Sequence, residues 1–365
     1  MQELKAILID CIPPDMSKED AAFRLSEAES LVSTYGGLVI LKSIQRKLIP
    51  NYQTYIGTGK LDELMYEGKA LGANILIINN EMKPQQIWNV SEVLRKGESE
   101  MQVWDRIDLI LKIFQKHAST KEAQLEIRLA SLKHMGPRIF RMGMELSQQG
   151  GVGTSRGQGE TNTEVMKRHL KEQERKVMQD LEECKRHREL QMNARKRKGL
   201  QTVGIIGYTN AGKSSLINTL TKKGAYVADK LFATLDTRVG KIYFQGSGKE
   251  ILVSDTIGFI QDLPTTLINS FRSTLEETIH ADFLLHVLDC SDPKIVEKMA
   301  VVHDVLGQIE IFDKPMLYVF NKIDLISAER RQELEDEFAD LNPIFISTYS
   351  KDGIEELKKK IEERL

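Results

Sequence analysis

Residues 202–221 read TVGIIGYTNAGKSSLINTLT, an apolar run, a glycine-bounded loop and an amphipathic stretch in direct succession. The loop carries G-x-x-x-x-G-K-S over 207–214, and its place between a strand pattern and a helix pattern is what a phosphate-binding loop requires. Gly207 and Gly212 let backbone amides surround phosphates, Lys213 sets a cation against the β and γ oxygens, and the Ser214 hydroxyl can ligate Mg2+. Tyr208, Thr209, Asn210, Ala211 and Ser215 complete the expected phosphate contacts. The stretch therefore opens a P-loop nucleotide-binding domain of α/β class, expected over 199–365.

A P-loop alone does not separate ATP from GTP chemistry, so the residues that follow it decide. EILVSDTIGF ends an apolar strand in Asp255, which can hold the metal through water, and places the Gly258 amide where a γ-phosphate would sit. PMLYVFNKIDL ends another strand in Asn321-Lys322-Ile323-Asp324, the N-K-x-D spacing whose aspartate accepts from the guanine N1 and N2 hydrogens. PIFISTYSKDG brings Ser347 and Thr348 toward the base, with threonine where alanine is usual. Between these, KLFATLDTRVG offers Phe232 as a nucleotide contact and Thr234 as the first-switch threonine over Mg2+ and the γ-phosphate, with Thr237 its nearest competitor. Lys213, Thr234 and Gly258 are the expected catalytic set, and Ser214, Thr234 and Asp255 the expected Mg2+ ligands.

The residue after Gly258 is Phe259, not the glutamine that orients the attacking water in Ras-like enzymes. Slow intrinsic hydrolysis follows, unless another group such as Gln261 positions the water. Asn210 has two readings, a K+ ligand near the β/γ bridge or a turn-stabilising side chain.

Upstream of 199 the pattern changes twice. Residues 1–108 alternate short β-rich runs, AILID (6–10), GLVILKSI (37–44) and ANILIIN (73–79), with helical stretches, which predicts a small α/β domain with a largely parallel sheet. It carries 12 Lys/Arg against 16 Asp/Glu, a net −4. Residues 109–198 then read as helical. STKEAQLEIRLASLKHM opens with a Ser119 to Glu122 capping-box spacing, aligns Leu125, Leu129 and Leu132, and is expected to stop at Gly136-Pro137. A second helix is expected over 161–197, opened by Thr161 and Glu164, with a thin stripe of Met166, Leu170, Val177, Leu181 and Cys184. The two predict an antiparallel two-helix coiled-coil hairpin.

Over 165–198 the second helix holds 12 Lys/Arg and 6 Asp/Glu, a local +6 in a chain of net charge −2. Such a run is either a solvated face or a surface for a polyanion. The tip of the hairpin, 136–160, includes QQGGVGTSRGQGET (148–161), five of whose residues are glycine. It imitates a dinucleotide fingerprint, but no strand precedes it; it reads as a connector or as a loop that orders against RNA.

A chain of 365 residues suits roughly two to three domains. Cys11, Cys184 and Cys290 stand far apart, without metal-ligand spacing, which implies a reducing compartment. No apolar stretch approaches the roughly 18 residues of a membrane span and no leader pattern opens the chain, so a cytoplasmic monomer is expected.

GYTNAGKSSLINTL, LFATLDT, DTIGFIQDLP, FRSTLEET and NKID, in that order, make the last domain resemble the Obg/HflX group of translational GTPases. TYIGTGKLDEL (54–64), NNEMKPQQIWNV (79–90), WDRIDLILKIF (104–114), STKEAQLEIRLASL and GGVGTSRGQGETNTE resemble the HflX family in particular and extend the likeness over nearly the whole chain. Departures are Gln158 where the family commonly has proline and Gln261 where a basic residue is frequent; the chain also ends on GIEELKKKIEERL, so the further C-terminal domain of some members is expected to be absent. The resemblance implies a GTP- and GDP-binding, Mg2+-dependent GTPase, with K+ as an additional cofactor in one reading. It further implies binding of rRNA on the large ribosomal subunit through the N-terminal and helical regions, and splitting or recycling of stalled ribosomes. A large-subunit assembly chaperone and a non-ribosomal signalling switch are the alternatives.

Overall fold

LKAILIDCI forms the first strand, β1 (Leu4–Ile12), whose middle and C-terminal part is buried on both faces. Burial on both faces is the signature of a parallel strand covered by helices. The computed structural model describes residues 3–149, 162–221, 232, 239–244, 248–255, 258–264, 267–268, 275, 278–311 and 314–364, with backbone only at 137, 139–149, 162, 163 and 196. Thr161, Thr234, Thr237 and the glycine-rich run 150–160 lie outside them. The chain divides into two compact units, Met1–Lys116 with Leu125–Leu181, and His117–Gln124 with Glu182–Leu365.

In the first unit β1 pairs in parallel with β2 (Gly37–Arg46) and β3 (Ile75–Ile78), and β3 with β4 (Gln102–Asp105), in the order β2-β1-β3-β4. The fourth strand, QVWD, was not expected from the sequence because four residues are too few to show a periodicity. Helices α1 (Lys18–Tyr35), α2 (Thr58–Leu71), α3 (Pro84–Lys96) and α4 (Arg106–His117) connect or follow the strands. Ser17 caps α1 by accepting from the Asp20 amide, and Gly36 closes it in the left-handed region. The core gathers Ile7, Ile9, Leu61, Leu64, Leu76 and Val90.

Two long helices follow, α5 (Lys121–Gln149) and α6 (Asn162–Arg197). The N-terminal cap of α5 is Thr120, whose Oγ1 accepts from the Ala123 amide at 3.2 Å, one residue beyond the expected Ser119. The helix does not stop at Gly136-Pro137 but runs on to Gln149. His134 and Arg138 bracket the proline at i, i+4, and both bond to Asp105 and Asp108. Those charged contacts hold the turn that a proline would otherwise break. Along α6 Val177 is buried and Met166, Leu170, Leu181 and Cys184 are partly covered, while Lys167, Lys171, Arg175, Lys185 and Arg186 are exposed. The expected stripe is thus the covered face of the helix.

The second unit is a six-stranded sheet in the order β10-β9-β8-β5-β7-β6. Its strands are β5 (Gln201–Gly207), β6 (Val239–Tyr243), β7 (Glu250–Asp255), β8 (Phe283–Asp289), β9 (Met316–Asn321) and β10 (Ile344–Phe345). All pairs are parallel except β6 with β7. Helices α7 (Lys213–Thr221), α8 (Ile295–Gln308), α9 (Ala328–Glu337) and α10 (Ile354–Glu363) belong to this unit. Val203, Ile205, Val253, Leu285, Val287 and Val319 fill one core face of the sheet. Five strands point the same way, so Gly207, Asp255, Asp289 and Asn321 come to a common C-terminal edge, where ligands bind in open α/β sheets.

Candidate functional site

The phosphate loop joins β5 to α7 in a conformation that fixes its residue types. Gly207 (φ 149°) and Gly212 (φ 92°) take backbone angles in which side chains are strained. A Cβ on Gly207 would lie 2.3 Å from the Val287 carbonyl oxygen, and one on Gly212 would lie 2.1 Å from Asn321 Nδ2. Asn210 is exposed at φ 63°, a left-handed position that asparagine tolerates.

Lys213 is buried, and its ammonium donates to the carbonyls of Gly207 at 3.0 Å and Tyr208 at 2.7 Å. Burial pushes its pKa down to about 8, against the pull of the Asp255 carboxylate. A buried ammonium with so little compensation is poised to accept an anion. Asp255 is fully buried and accepts from the Ser214 hydroxyl at 3.0 Å. Hydroxyl and carboxylate oxygens in contact suit a hard cation such as Mg2+, so these two residues fit the metal that the phosphates would bring. Gly258 closes the other side: a Cβ there would meet Thr209 Cγ2 at 2.7 Å and Lys213 Nζ at 3.1 Å. The buried Thr209 hydroxyl has no hydrogen-bond partner among the described residues, as expected of a group lining a ligand space.

The base-side residues are knitted together. Asn321 Nδ2 donates to the Ala211 carbonyl at 2.9 Å and its Oδ1 accepts from the Thr348 amide at 3.1 Å, so one buried amide joins three loops. Ser347 donates to Asp324 Oδ1 at 2.5 Å and accepts from the amides of Tyr349 and Ser350. The hydroxyl holds the carboxylate in place through one of its two oxygens. Lys322, at φ 68°, pairs with Asp289 at 2.6 Å. Asp289 was missed in the sequence, although FLLHVLD ends an apolar strand in an acid as ILVSD does.

The expected residues 207–215, Asp255, Gly258, Asn321, Lys322, Asp324, Ser347 and Thr348 thus lie at strand ends, in the loops at this edge of the sheet or in the first turn of α7. Phe232 is buried at φ 55°, an unusual angle for an aromatic residue. Phe259 is buried in the apolar cluster of Ile206, Leu275 and Leu284, so its side chain does not reach a water at the phosphates. The Gln261 amide bonds to Tyr208.

A phosphate loop followed by D-x-x-G and N-K-x-D, on a sheet with this order, defines a P-loop GTPase. The family model described as 50S ribosome-binding GTPase matches residues 202–322, GTP-binding GTPase Middle Region matches 117–195, and GTP-binding GTPase N-terminal matches 23–115. The GTPase HflX of Caldanaerobacter subterraneus subsp. tengcongensis is 40% identical over 99% of this chain and 80% of its own length. Those of Escherichia coli and Methanocaldococcus jannaschii are 36% and 37% identical, over 93% and 88% of this chain and 79% and 77% of theirs. The crystal structure of the SsGBP and GDP complex aligns with a TM-score of 0.54 at 29% identity, covering 98% of this chain and 97% of that one. The chain belongs to the HflX family of GTPases, and it hydrolyses GTP.

Among the described residues no helix is long and apolar enough to cross a membrane. Cys11, Cys184 and Cys290 are in no disulfide, and burial pushes the Cys290 thiol up to about 12.

Proposed function

We propose that this GTPase acts on the large ribosomal subunit and splits or recycles stalled ribosomes. The carrying observation is the match of residues 202–322 to the family described as 50S ribosome-binding GTPase, in one chain with the exposed basic residues of α6. Positive side chains on a long helix suit rRNA phosphates. The N-terminal and helical regions, paired as a hairpin through α5 and α6, would hold the rRNA, and the GTPase region 199–365 would set the affinity through its nucleotide state. In this reading Lys213 binds the β and γ oxygens, Gly258 meets the γ-phosphate, Asp324 selects guanine, and Ser214, Asp255 and Thr234 hold Mg2+, which supplies charge neutralisation at the phosphates.

Intact ribosomes incubated with the protein and a non-hydrolysable GTP analogue should release free subunits on a sucrose gradient. Intact ribosomes carrying bound protein would overturn splitting and favour a role in subunit assembly. Failure to co-sediment with large subunits at moderate salt would sink the ribosomal reading altogether. Asp324→Asn should transfer preference from guanosine to xanthosine nucleotides, with GTP weakened by roughly tenfold or more for the hydrogen bonds lost.

A further inference from the structure

Three hydrogen bonds join the segment after Gly258 to the phosphate loop. Phe259 N donates to the Gly207 carbonyl at 3.3 Å, Thr209 N donates to the Phe259 carbonyl at 2.7 Å, and Gln261 N donates to the phenol oxygen of Tyr208 at 2.6 Å. The first two are backbone bonds open to any residues of the right conformation. The third exists only because residue 208 is a tyrosine. Tyr208 is 5% exposed, and Lys298 Nζ lies 4.8 Å from the ring centroid while also pairing with Asp292. Burial and the overlying cation hold the ring, so the phenol oxygen is a fixed acceptor rather than a mobile one.

Gly258 is the residue whose close approach to Thr209 and Lys213 leaves no room for a side chain. Directly beyond it the chain is pinned at Phe259 and again at Gln261. Without the hydroxyl, a partly buried amide would lose its partner and the segment would have to be ordered during the reaction. We propose that Tyr208 is a positioning residue for GTP hydrolysis, holding the Gly258 to Gln261 segment through the Gln261 amide so that it is in place before the γ-phosphate leaves. The inference rests on the assignment of residues 207–214 and Gly258 to the phosphates. Because GDP lacks the γ-phosphate, the effect is confined to steps that involve it.

Tyr208→Phe in the full chain removes the phenol hydroxyl and keeps the ring. Single-turnover hydrolysis, with protein in excess over GTP, should slow roughly fivefold, the worth of one ordinary hydrogen bond. GDP affinity and the melting temperature should stay as in the parent. Gln261→Pro deletes the donor of the same bond and should slow hydrolysis to a similar extent, with no further loss in the double variant. An unchanged single-turnover rate in both variants overturns the proposal. So does an equal weakening of GDP and GTP binding with normal hydrolysis of the bound nucleotide, since Tyr208 would then support only the phosphate loop. Lys213→Ala measured alongside separates the two levels: if it still binds nucleotide normally, the phosphate-site assignment fails, and not only the role of Tyr208.

Discussion

His134 in the first unit and His286 in the second are both withdrawn from water, and their proton affinities lie on opposite sides of free imidazole. Burial alone would lower His134, but hydrogen bonds to Asp105 and Asp108 outweigh it and raise the ring to about 9. His286 on β8 has rings of His303 and Tyr318 around it and no hydrogen-bond partner among the described residues; burial first, then His303 and Lys213, push it down to about 3. The same contrast runs through the charged residues. In the first unit buried charges answer each other: Arg106 with Glu27 at 2.5 Å, Arg24 with Asp10 at 3.0 Å, Arg138 with Asp105 and Asp108 at 3.1 and 2.5 Å. In the second, buried Lys213 leans on carbonyls and loses proton affinity.

The difference separates structural charge from functional charge. Asp105, Asp108 and His134 lie close enough together to suggest a metal site, yet Arg138 donates to both carboxylates and supplies the cation from within the chain. Lys213 instead donates to two carbonyls, and the pull of Asp255 does not offset the cost of its burial.

The sharpest test of that division is Arg138→Ala, which leaves two buried carboxylates without their guanidinium. It should destabilise the first unit by about 3–5 kcal/mol in urea unfolding and leave GTP affinity unchanged. A loss below about 1 kcal/mol would mean that the network is solvated and not structural. Lys213→Ala should behave in the opposite way. Nucleotide affinity should fall by about 3 kcal/mol, more than a hundredfold, while the melting temperature of the nucleotide-free protein holds or rises, because a poorly compensated buried ammonium is gone. A fall in both would break the distinction.

Smaller and pH-dependent is the effect of His286→Leu. The folded pKa of His286 lies below the ordinary value, so the unfolded chain binds the extra proton as pH falls below 6.5 and stability declines from there toward pH 3. The parent should lose up to about 1 kcal/mol per pH unit through His286 on that limb, and the variant should lose less steeply, keeping only the share of His303 and of carboxylates such as Asp108, whose pKa values are also lowered. His134 has the opposite sign: its contribution is complete below pH 6.5 and disappears as pH rises through about 9. That alkaline limb should persist in His286→Leu when thermal unfolding is followed across pH.

Much of the candidate nucleotide site was legible as motifs because its spacing is local. Gly207, Lys213 and Ser214 occupy one turn, and Asn321, Lys322 and Asp324 another, so spacing alone exposes them. The two α/β units and the two long helices were legible for the same reason, since periodicity is a property of neighbours along the chain. What escaped depends on partners distant in sequence. β4 is four residues long and is a strand because Ile75 to Ile78 lie beside it. The turn at Gly136-Pro137 stays helical because Asp105 and Asp108, about thirty residues earlier, hold the side chains on either side of it.

The sequence by itself determined the kind of nucleotide machinery, since backbone amides, one lysine and one N-K-x-D need only short spacings to declare themselves. Tertiary structure decided which buried charges pair with an opposite charge and which, like Lys213, donate to carbonyls. It brought Tyr208 to the Gln261 amide across 53 residues and Ser347 to Asp324 across 23. Burial and counter-charge depend on what packs around a side chain, and no window of sequence contains that information.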